Sequence, residues 1–101
     1  MEERFAVGQI VCHFKRNEHH KGLEYLYVYL GTAQHTETGE KLVIYKELYG
    51  TGKLYARPAY MFFGLVDKDI YPEARQKYRF EMASIEDIML AKKAANDVGL
   101  I

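Results

Sequence analysis

Residues Tyr25–Pro58, YLYVYLGTAQHTETGEKLVIYKELYGTGKLYARP, decide the fold of this chain. From Tyr25 to Gln34 the side chains alternate, with Leu26, Val28 and Leu30 on one side and Tyr25, Tyr27 and Tyr29 on the other, the period of a β-strand. Lys41–Tyr49 alternates again: Leu42, Ile44, Lys46 and Leu48 oppose Val43, Tyr45, Glu47 and Tyr49. Between the two runs, His35–Glu40 places Gly39 where a tight hairpin needs positive φ. Tyr49–Lys53 supplies a second glycine turn before the short strand Leu54–Arg57, which Pro58 ends because proline has no N–H to give a ladder. The stretch is a meander of antiparallel strands. Both strand faces carry bulk and call for cover; the aliphatic face is expected to fill the core and the tyrosine face to form a common surface.

Working outward, Val7–Phe14 reads as a first strand with Ile10, Cys12 and Phe14 as its apolar face, followed by an exposed polar loop, Lys15–Glu24. Downstream, Met61–Val66 is a further apolar segment, Ile70–Gln76 a turn around Pro72, and Tyr78–Met82 a last strand. At Ser84 the period changes to that of a helix, Ser84–Asn96. Ser84 and Asp87 open it in the manner of a capping box, and Gly99 lies just beyond its end. Ile85, Ile88, Met89 and Ala95 share one helix face, which must dock on the tyrosine side of the sheet or on a second subunit, as a homodimer would provide. Residues 1–101 are read as one domain, a β core over 7–82 with a C-terminal helix over 84–96.

At 101 residues the chain can bury one modest core. Hydrophobic residues make up 49%, but nine of them are Tyr, so the purely aliphatic share is smaller than that figure suggests. Fourteen basic and fourteen acidic side chains cancel, which disfavours binding to a long polyanion such as duplex DNA and leaves room for a local ligand. Cys12 is the one cysteine, a pattern that suits a reducing cytosol. The start MEERFAVGQIV does not read as a secretory signal, and no apolar run reaches membrane-spanning length; a soluble, cytoplasmic protein without membrane attachment is expected.

The segments CHFKR, VYLGTAQHTETGEKLVIYKELYGTGKLYARP and MF, in that order, resemble the bacterial family known as domain of unknown function 1653. The resemblance runs from about residue 8 to about residue 80. It implies a mainly β fold, a small SH3-like barrel or roll of five to six short antiparallel strands, here with an added C-terminal α-helix. The family carries no established activity. Three features depart from its pattern: a longer loop after His13-Phe14-Lys15, Tyr55 in place of a tryptophan, and the helix itself.

Two function classes remain open. The first is a non-catalytic binding module whose aromatic and basic groove would hold a peptide, a single-stranded nucleic acid or a small anion. Its candidate residues are His13, Lys15, Tyr29, His35, Tyr45, Tyr49, Tyr55 and Arg57, where Arg offers a fork to an anion and imidazole a second donor. The bland alternatives are a loop-ordering role for His35 and an ion pair from Arg57 to Glu37, Glu40 or Glu47. The second class is a metal-assisted hydrolase using His13, His35 and Glu37; no nucleophile elbow, phosphate loop or paired-ligand spacing supports it, so no catalytic residue, metal or cofactor is assigned. His19 and His20 are neighbours on a polar loop, and Cys12 reads as a small buried hydrophobe. Whether His13, His35 and Arg57 converge discriminates between the classes.

Overall fold

The computed structural model describes residues 4–17 and 19–97. Five antiparallel strands form one open sheet in the order β4-β3-β2-β1-β5: β1 Ile10–His13, β2 Leu26–Gln34, β3 Lys41–Glu47, β4 Leu54–Pro58 and β5 Phe80–Met82. A single helical turn, α1 Ala59–Phe62, follows β4, and α2 Ile85–Asp97 follows β5. The expected meander is present: β2 pairs with β3 and β3 with β4, through the two glycine turns. The first strand is shorter than expected. Met61–Val66 adds no strand but completes α1 and makes one bridge, Leu65 to Tyr78.

The core lies on the face opposite to the one the alternation suggested. Tyr27, Tyr29, Val43 and Tyr45 are buried together with Val11, Phe5, Phe62, Phe63 and Phe80, whereas on the aliphatic face of β2 only Leu26 is buried, Val28 is half-buried and Leu30 is exposed. The expectation that aliphatic residues fill the middle while tyrosines form a surface is therefore overturned. Curvature explains the reversal. In a flat sheet three strand spacings, about 14 Å, would separate β3 from β5. Yet the rings of Tyr45 and Phe80 on those strands are 5.5 Å apart, so the sheet curls and large rings fill its concave side. At the centre, Phe62 of α1 stacks on Phe80 at 4.1 Å with an interplanar angle of 9°. Tyrosine fits such a core because its ring packs while its hydroxyl reaches the rim; Tyr27 and Tyr49 join there, oxygen to oxygen, at 2.7 Å.

A bulge at Tyr29/Gly31 sharpens the curl of β2, and Gly31 takes φ +119°, a conformation L side chains rarely adopt. α2 is tied to the loop after β1 by the Arg16–Asp87 pair. Ser84 Oγ accepts the Asp87 N–H at 3.1 Å as the expected cap, and Ala91 is buried. Ile85 and Met89, however, stay 77% and 64% exposed, so the apolar helix face is only partly used. The expected helix stop at Gly99 falls outside the described residues.

Candidate functional site

Because strand partners share a face, the pairings place His13 beside Phe80, Arg57 beside Val43, and Tyr29, Tyr45 and Tyr55 abreast, all on the concave side. Phe80 is the hub of the mouth. The His13 ring meets it edge-on at 5.0 Å, Tyr45 at 5.5 Å, and the Arg57 guanidinium carbon lies 5.8 Å from its centroid. The sheet edges β4 and β5 are thus brought close by the same curvature that buries the tyrosines.

His13 is held in one state. Its Nδ1 accepts the Lys15 N–H at 3.1 Å, which leaves the ring proton on Nε2. Burial first, then the charges of Arg57, Lys15 and Arg79, push its pKa down to about 4. The imidazole is neutral at pH 7 and has no free lone pair for a base or a metal ligand; it can only donate. Arg57 also opposes the upward shift that burial imposes on the Tyr45 hydroxyl. Three cations therefore surround one neutral imidazole in a chain of zero net charge. Arg79 donates to the Met61 carbonyl at 3.2 Å and Lys15 stands 5.6 Å from the Tyr71 ring centroid. None of Arg57, Lys15 and Arg79 has a carboxylate partner among the described residues.

The expected ion pair of Arg57 with Glu37, Glu40 or Glu47 is not formed. Glu47, 6% exposed, instead accepts the Lys53 N–H at 3.0 Å and the Tyr55 hydroxyl at 3.0 Å, closing the second glycine turn. The Lys53 N–H holds its carboxyl below the usual range, and the bond to Glu47 raises the Tyr55 hydroxyl. His35 does what the loop reading expected: its Nδ1 accepts the Glu37 and Thr38 N–H groups at 3.1 and 3.3 Å. It stands far from His13. His13 lies beside Tyr25, ahead of β2, and His35 follows the last residue of that nine-residue strand, roughly 30 Å of extended chain away.

Of the sequence candidates, His13, Tyr45, Tyr49, Tyr55 and Arg57 gather at the mouth or its rim, Tyr29 is core at 2% exposure, Lys15 borders a neighbouring groove that Phe14, Arg16, Tyr25 and Tyr71 also line, and His35 is elsewhere. His13, His35 and Glu37 do not assemble, and no group of three His, Cys, Asp or Glu side chains among the described residues could share a metal ion. Cys12 is half-buried, and burial pushes its thiol up to about 11, away from the thiolate that nucleophilic chemistry needs. Arg79 and Phe80 were missed. Phe80 reads from sequence as an ordinary strand residue, and no local pattern brings it under Arg57. Glu47 carried a signal: a carboxylate in phase with Val43, Tyr45 and Tyr49 must be capped by donors wherever those rings are buried.

No helix among the described residues is long and apolar enough to cross a membrane. Comparison with curated proteins and with solved structures returned no match. A family model described as "Protein of unknown function (DUF1653)" matches residues 9–82, the span of the whole sheet and its mouth, and the chain accordingly belongs to that family.

Proposed function

We propose that this chain is a non-catalytic binding module, an SH3-like roll whose concave mouth captures an anionic group on Arg57 with His13 Nε2–H as second donor. The observation that carries the reading is the half-buried Arg57, set against Phe80 without a carboxylate partner among the described residues. A guanidinium partly withdrawn from water is costly unless an anion completes it. Its neighbours, Lys15 and Arg79, add to the same field, and a neutral imidazole adds a directed donor without competing for protons. A hydrolytic role finds no support here, because the one basic lone pair of the imidazole nearest the mouth, on Nδ1, is taken by the Lys15 N–H. A reducing cytosol suits a chain with a single cysteine.

Thermal melting with pyrophosphate or citrate tests the reading. Either anion is expected to raise Tm by several degrees, and Arg57→Met to abolish the rise while Lys92→Met on α2 retains it. A Tm that neither anion moves, or an equal rise in Arg57→Met, sinks the proposal.

A further inference from the structure

We propose that the anion captured at the mouth belongs to a single-stranded nucleic acid, laid along a row of rings that leads from the mouth into the neighbouring groove; this rests on the anion-capture reading above. The rings follow one another in contact. Tyr71 meets Phe14 at 4.9 Å, Phe14 stacks on His13 at 4.5 Å, His13 on Tyr25 at 5.7 Å, and Tyr25 reaches Tyr49 at 6.3 Å. All five are half-buried residues. Cations punctuate the row: Lys15 over Tyr71 at one end, Arg57 over Phe80 beside its middle. A single small anion needs one fork. Cations spaced along a continuous aromatic surface match a ligand that repeats both negative charges and flat faces.

Two further features support a strand over a compact anion or an acidic peptide. The open groove beyond His13 has a volume of about 1080 Å³, more than a lone anion fills. Tyr25 is the one non-glycine residue with positive φ among the described residues, at +65°. An L residue there is disfavoured, a cost that glycine would avoid. The position nevertheless holds a ring that touches His13, His20 and Tyr49, within the row. An acidic peptide would meet the cations but leave these ring faces uncovered. Glu73, Glu86 and the Arg16-bound Asp87 also line the groove, so phosphates are expected to keep to Lys15, and a duplex, which cannot offer its bases, is rejected.

Fluorescence anisotropy with labelled oligothymidylate and oligouridylate of about twelve nucleotides, an oligoglutamate of matching charge and a duplex tests this. One or both single strands are expected to bind, and the duplex and the peptide far more weakly. Three cations predict a log–log salt slope of about −2, reduced by about 0.7 in Arg57→Met. Tyr25→Asn keeps a residue that tolerates the left-handed region, so it is expected to melt like the wild type yet bind roughly tenfold more weakly. No binding of either single strand, equal binding of oligoglutamate, or wild-type affinity in Tyr25→Asn overturns the proposal. If pyrophosphate still stabilises the protein through Arg57, anion capture survives that result; if it does not, both readings fall.

Discussion

Arg16 grips Asp87 with two hydrogen bonds, Nη2 to Oδ1 at 2.9 Å and Nε to Oδ2 at 3.1 Å, while its Nη1 donates to the Glu24 carbonyl at 2.7 Å. This fork ties the loop after β1 to the first turn of α2. The Arg16 side chain is only 7% exposed, so the pair is mostly shielded from competing water. Removing the carboxylate would leave a largely buried guanidinium short of an acceptor. Asp87→Ala is expected to lower unfolding free energy by about 2–3 kcal/mol, read as a shift of the urea midpoint. Hydrogen exchange in α2 should quicken by more than in β2 and β3; uniform loss of protection would mean the pair does not anchor the helix specifically.

His13 makes stability depend on pH. Its folded pKa of about 4 lies below the ordinary 6.5, so the unfolded chain binds the proton more readily. The contribution of the neutral ring is full above pH 6.5 and fades as pH falls from 6.5 to about 4. Allowing for the water that still reaches the ring, the loss is about 1–2 kcal/mol. Glu47, whose carboxyl is held low, adds a second loss at more acid pH, below the usual carboxylate range. Urea unfolding at a series of pH values should show the first loss in the wild type and not in His13→Phe. An imidazole resonance titrating near pH 6.5 would contradict the assignment.

Gly31 marks where β2 bends to build the concave face. A Cβ there would find room, its nearest neighbour being Val7 Cγ2 at 3.5 Å, so the penalty for a side chain is backbone conformation and not crowding. Gly31→Ala at φ +119° is expected to destabilise the fold by about 1–2 kcal/mol. Gly31→Asn should cost about the same, because this φ lies beyond the left-handed helical region that Asn tolerates. Thermal melts of the two variants check this; a neutral Gly31→Ala would show that the bulge relaxes without strain.

Element type was written locally. The alternation of Leu42 to Tyr49, the glycines at 39 and 52 and the cap at Ser84 each act over a few residues, and each produced the element expected. His35 was legible for the same reason, since its imidazole serves N–H groups two and three residues away. The site was legible only in part. Residue types suited to anion binding could be named, but Arg57 and His13 come from strands β4 and β1, and the Phe80 between them from β5.

The chain's own order of residues determined the strands, the turns, the helix start and the pool of donors, all of which follow from backbone period and short-range hydrogen bonding. Which face became the interior was decided by the tertiary structure. Both faces carry bulky side chains, so alternation is symmetric between them. The choice fell to long-range partners, Phe62 of α1 and Phe63 just after it, Phe80 of β5 and the curl at Gly31, which together enclose rings and leave part of the aliphatic side exposed.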